Sequence, residues 1–149
     1  MKAIRCHAYG APSSLTLEEL PAPEPRPGEV VIETEAAGLG YVDALLVAGR
    51  YQVKTPLPFV PGSEVAGRVV ALGEGVPEKL MGTRVMALSP RGALAEKIVL
   101  PAMGCIPVPA NMSAEAAAGF IVSYCTALYG FDPCGHLREG ETVLVLGAA

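Results

Sequence analysis

No tryptophan occurs in this chain, histidine appears only at His7 and His136, and the four cysteines stand far apart. Each scarcity removes a class of chemistry. Cys6, Cys105, Cys125 and Cys134 form no C-x-x-C pair, and no apolar run follows Lys2 and Arg5 as a signal peptide would require. The thiols therefore read as reduced and mostly buried, in a cytoplasmic protein, rather than as disulfides. Neither histidine has a second metal ligand at helix or hairpin spacing. Basic residues number eleven, scattered singly in a chain of net charge −4, so no basic stripe follows a nucleic-acid backbone. The uncharged run Ala116 to Phe131 is sixteen residues and contains Ser123, Tyr124 and Thr126. A membrane span needs ~20 largely apolar residues, so this run reads as buried core helix. Ser63 lies in P-G-S-E rather than a G-x-S-x-G elbow, and Cys125 has no basic neighbour to activate it. No covalent nucleophile is indicated.

What the chain has in quantity is glycine, seventeen residues, and proline, fourteen, a profile of short strands and many turns. Strands are expected at Met1–Ala8 and Leu15–Leu20, then at Glu29–Ala37 after a connector stiffened by Pro21, Pro23, Pro25 and Pro27. Tyr41–Ala48 has helical spacing and a glycine stop at Gly49. Glu64–Leu72, Arg84–Leu88 and Ala93–Leu100 read as further strands. Together they argue for a small, partly open β-barrel. From Pro109 the character changes. Ser113 can cap a helix with Glu115 in its first turn, and Ala114–Phe131 reads as one or two buried helices. Thr142–Leu146 has no alternation, as suits a strand covered on both faces of a parallel sheet.

Several segments carry a family likeness in their order and spacing. They are Gly38-Leu39-Gly40-Tyr41-Val42-Asp43, Pro61-Gly62-Ser63-Glu64-Val65-Ala66-Gly67, Gly82-Thr83-Arg84-Val85, Gly92-Ala93-Leu94-Ala95-Glu96, Thr126-Ala127 and Glu141–Ala149. In that order the chain resembles the first half of a medium-chain dehydrogenase/reductase. Where the zinc enzymes of that superfamily carry Cys and His, this chain carries Gly40 and Ser63, and the region of the structural zinc lobe holds no cysteine. Neither replacement is a zinc ligand. The resemblance therefore points to the zinc-free quinone oxidoreductase branch.

That resemblance implies a mainly β fold with α: a partly open GroES-like barrel at residues 1–112, then linking helices and the first strand of an incomplete Rossmann domain at residues 113–149. It implies hydride transfer from NADPH to a quinone or conjugated carbonyl, with no metal. Tyr51 and Asp43 take the catalytic positions by this likeness. Gly40, Tyr41, Thr126 and the glycine turn of Gly147, Ala148 and Ala149 take the cofactor side. Relatives often have Asn at the position of Gly40, and Glu64 reads as structural, accepting from backbone or Arg groups near the cleft. The 149 residues alone are expected to be inactive and to self-associate as a homo-oligomer through the C-terminal segment. The alternatives are an enoyl-thioester reductase of the same superfamily and a non-enzymatic adaptor relative.

Overall fold

The computed structural model describes residues 1–147. Ala148 and Ala149, the last two residues of the expected cofactor turn, lie outside the described residues. Strands β1 (Lys2–Arg5) and β2 (Thr16–Glu19) form an antiparallel ribbon in the register Lys2 with Glu19 to Arg5 with Thr16. A second sheet contains β3 (Glu29–Gly38), β4 (Glu64–Leu72), β5 (Arg84–Leu88), β6 (Lys97–Pro101) and β7 (Ile106–Pro107). Its strand order is β6-β3-β4-β5-β7, and every pair is antiparallel. The ribbon touches the larger sheet system through single bridges, Ala3 with Ala95 and Cys6 with Phe59. The barrel is accordingly open, two sheets bent toward each other without closure.

The bend has a visible cause. The β3–β4 register shifts between Val31 and Ile32 and again between Thr34 and Ala36, and each irregularity increases local twist. At Gly67 the two backbones approach so closely that an added Cβ would lie 2.0 Å from the Glu33 carbonyl oxygen. Inside the curve, Val30, Ile32, Val65, Val69, Val85 and Ile98 form the main core. Full burial of side chains such as Ile32 contributes about 1.5–3 kcal/mol each. Strand β4 is buried on both faces, because its next residue, Ala66, turns to the other side. There, with Met86, it packs on Ala117, Ala118 and Ile121.

Helix α1 (Tyr41–Val47) follows β3 directly and stops at Gly49, whose φ of +64° makes the expected left-handed cap. Helix α2 (Ala114–Ala118) starts where Ser113 accepts from the Ala116 N–H at 3.2 Å. It sits against β3 at Gly38, where a Cβ would come within 2.2 Å of the Ala118 carbonyl.

Past α2 the structure departs from the sequence expectation. The run to Phe131, expected as one or two buried helices, is helical but mostly not buried. Wide π-type turns at Ile121–Cys125 and Gly130–Cys134 flank a short α3 (Thr126–Tyr129), and beyond Ile121 this run is largely solvent-exposed. Thr142–Leu146 is not a strand either, because no described segment pairs with it and its side chains face solvent. A strand requires a neighbour for its backbone groups, and apolar composition does not supply one. The thiols follow the same division. Cys6 is buried and Cys105 half-buried, whereas Cys125 and Cys134 are exposed; all four are free. No helix among the described residues is long and apolar enough to cross a membrane.

Candidate active site

The end of β3, the start of α1 and the start of β4 converge on one cleft of about 460 Å³. Gly40 enters it as the residue before α1, in extended backbone (φ −117°), and Tyr41 and Val42 open the helix. Ser63 and Glu64 come from the head of β4, while Leu88, Ser89 and Pro90 come from the end of β5. Val122 closes the far side from the wide turn after α2. Tyr51 is held at the rim because the Arg50 and Tyr51 amides both donate to the Leu45 carbonyl, at 2.8 and 3.2 Å.

Behind this wall lies Asp43, 4% exposed. From the third position of α1 its Oδ2 accepts the Gly40 N–H at 2.8 Å, a reciprocal cap that fixes the turn into the helix. The same oxygen accepts the Ser63 hydroxyl at 3.2 Å. Its Oδ1 is sealed from solvent with no partner among the described residues. Asp43 does not line the cleft; it lines a smaller apolar pocket of about 220 Å³ with Leu15, Leu39, Val47 and Leu94. Its position is that of a brace for Gly40 and Ser63.

Glu64 is also buried, and its Oε1 accepts the Val122 N–H at 2.8 Å across 58 residues of sequence. The carboxylate does accept from backbone, as its sequence context implied. Ser89 donates its N–H to the Ser63 carbonyl at 2.9 Å and its hydroxyl to the Arg91 carbonyl at 2.5 Å. Two strand ends and the turn after α2 are thereby locked around one space.

The expected residues are thus distributed unevenly. Gly40, Tyr41 and Tyr51 meet in the cleft. Thr126 lies one turn beyond Val122 on the exposed α3, outside the lining, and Gly147 (φ +70°) is an exposed turn residue. Leu88, Ser89, Pro90 and Val122 line the cleft without a motif that announces them. The Ser63–Asp43 contact was within reach, since both residues stand in the two quoted segments at positions facing one site. Among the described residues, no three His, Cys, Asp or Glu side chains come together. Burial pushes the Cys6 and Cys105 thiols above their ordinary range, so neither is a thiolate at neutral pH.

An open antiparallel barrel with a cleft at the β3–α1 and β4 ends is a GroES-like architecture. Residues 26–110 match the alcohol dehydrogenase GroES-like domain, and the chain belongs to that family, within the medium-chain dehydrogenase/reductase superfamily. The synaptic vesicle membrane protein VAT-1 homolog of Rattus norvegicus is 39% identical over 98% of this chain and 37% of its own length. The human VAT-1 homolog-like protein superposes with a TM-score of 0.90 at 34% identity, covering 94% of this chain and 45% of that one. The quinone oxidoreductase of Thermus thermophilus, solved also in complex with NADPH, gives 0.78 at 39% identity over 89% of this chain and 41% of that one. The chain spans about two fifths of the length of such relatives.

Proposed function

We propose that residues 1–112 are the substrate domain of a zinc-independent, NADPH-dependent reductase of quinones or conjugated carbonyls, and that residues 113–149 begin its cofactor domain. The observation that carries this reading is the cleft itself. The residues present fit a flat nicotinamide ring: Gly40 offers no side chain, and a Cβ there would meet only Asp43 Oδ2, at 3.6 Å. Tyr41 and Val42 flank that gap. The same residues do not fit zinc, since the two key positions hold a glycine and a hydroxyl already committed to Asp43. NADPH, when bound, supplies the hydride. Leu88, Pro90 and Val122 give the cleft apolar surface beside that gap. Tyr51 offers a phenol that can donate to a substrate oxygen or lie against its ring. Asp43 acts through Gly40 and Ser63 as a positioning residue. Thr126, Gly147, Ala148 and Ala149 are assigned to the cofactor side by family likeness alone.

The test is loss of reduced-nicotinamide absorbance with a para-quinone and with an enone as acceptors. A protein of the relatives' full length should turn over at least one of them, and the 149 residues alone should turn over neither. Silence from the longer protein with both acceptors overturns the reductase reading. Ordinary enzyme rates from the 149 residues overturn the division into two domains. The adaptor reading has one observation in its favour: Gly40 brings no amide or other polar side chain to the cleft, and it would be preferred in the first of these outcomes. We further infer that the chain self-associates through its exposed C-terminal segment.

A further inference from the structure

Five polar side chains line the cleft: Tyr41, Tyr51, Ser63, Glu64 and Ser89. Hydrogen-bond bookkeeping divides them into two kinds. A serine hydroxyl has one proton to give and two lone pairs to receive with. Ser63 gives its proton to Asp43 Oδ2 at 3.2 Å. Ser89 gives its proton to the Arg91 carbonyl, which also can only accept. Glu64 accepts the Val122 N–H through Oε1 and has only further lone pairs to offer. These three neighbours therefore present acceptors and no donor. Tyr41 and Tyr51 are the lining side chains with protons left to give.

We propose that Ser63, Glu64 and Ser89 form an acceptor-only wall that selects a carbonyl ligand bearing a second group with a hydrogen-bond donor, such as a hydroxy-substituted quinone or enone. A bare carbonyl finds no side-chain donor on this wall and leaves acceptor lone pairs opposed to its own, an arrangement that costs desolvation without return. A ligand with a hydroxyl on that side satisfies the wall while its carbonyl oxygen turns toward Tyr51. Asp43 sets this preference without touching the ligand, by consuming the only proton Ser63 has.

The inference rests on the cleft being the binding site assigned above, but not on hydride transfer. Its test uses a redox-inert pair, 4-hydroxyacetophenone and 4-methoxyacetophenone, titrated into the isotopically labelled chain and followed by the amide signals of Tyr51, Ser63 and Glu64. The hydroxy compound should bind about tenfold more tightly, as a hydrogen bond to a charged acceptor is worth. Ser63→Ala should lower that ratio to about threefold by the same accounting. Glu64→Gln keeps an oxygen for the Val122 amide and adds an NH2 donor to the wall, so it should bring the ratio to one or invert it. Equal affinities in the wild type, no binding of either compound at saturating concentration, or a ratio that survives both substitutions overturns the inference. Because no cofactor takes part, a wall that passes this test in a protein without turnover would stand while the reductase reading fell.

Discussion

Val30-Val31-Ile32 and Val143-Leu144-Val145-Leu146 are both unbroken apolar runs, yet they end in opposite states. Val30 and Ile32 are completely buried, while Leu144 and Leu146 are 81% and 83% exposed. The first run has β4 on one side and β6 on the other, so Val30, Val31 and Ile32 each have a neighbour on both sides. The second has no partner among the described residues. Apolar composition supplies the driving force for burial, but a neighbouring strand decides whether that force can act. The sheet is a place where both conditions are met; the C-terminal segment meets only one.

The most forceful way to break this contrast is at the closest backbone approach in the sheet. Gly67→Ala would put a Cβ within 2.0 Å of the Glu33 carbonyl and separate β3 from β4. We expect a loss exceeding about 4 kcal/mol, read as an insoluble or unfolded chain in denaturant titration. Wild-type stability would show that the two strands are not held as described. Ile32→Ala should cost about 2–5 kcal/mol in the same measurement, by creating a cavity in the main core. A change under about 1 kcal/mol would place the core elsewhere.

Ser113→Ala removes the cap of α2 and should cost about 1 kcal/mol. The neighbouring Glu115 adds a pH signature. Hydrogen bonds from its own backbone N–H and from Ser113, with a smaller contribution from Arg84, hold its carboxyl below the ordinary range. A depressed folded-state pKa favours the native state above the ordinary carboxylate range, and the benefit disappears as pH falls through the folded value. Glu115→Gln should therefore lower stability slightly at neutral pH, leave it unchanged in acid, and so flatten the acid limb of the stability profile. Finally, the double change Leu144→Glu with Leu146→Glu should leave the denaturation midpoint of the sheet unmoved and reduce self-association in light scattering. If association were unchanged, the contact would belong to the sheet.

The contrast also explains what the sequence made legible. Strands β3 and β4 were readable within a residue because alternation and glycine turns bounded them. Helix α1 was readable because Gly49 stops it. Gly40, Tyr41 and Tyr51, singled out by family likeness, do line the cleft. Val122 was not singled out, since a valine in an alanine-rich run has no pattern to distinguish it; only the wide turn and the Glu64 contact bring it to the site. Thr142–Leu146 was misread as a strand for the complementary reason. Composition reports what a segment would gain from burial and says nothing about who is beside it. Asp43 was singled out as chemistry-bearing, but its position under Gly40 and Ser63 depends on the turn into α1, which no residue pattern encodes directly.

The order of the larger sheet has a consequence for how chains meet. Its two outermost strands, β6 and β7, both finish on a proline, Pro101 and Pro107. Proline has no amide hydrogen to donate, so a foreign strand laid along either margin meets a gap in the ladder. The margins thus discourage edge-to-edge aggregation, and β7 is only two residues long, too short to template a partner. A folded domain with guarded margins can carry sticky surface elsewhere without drawing its sheet into fibrils.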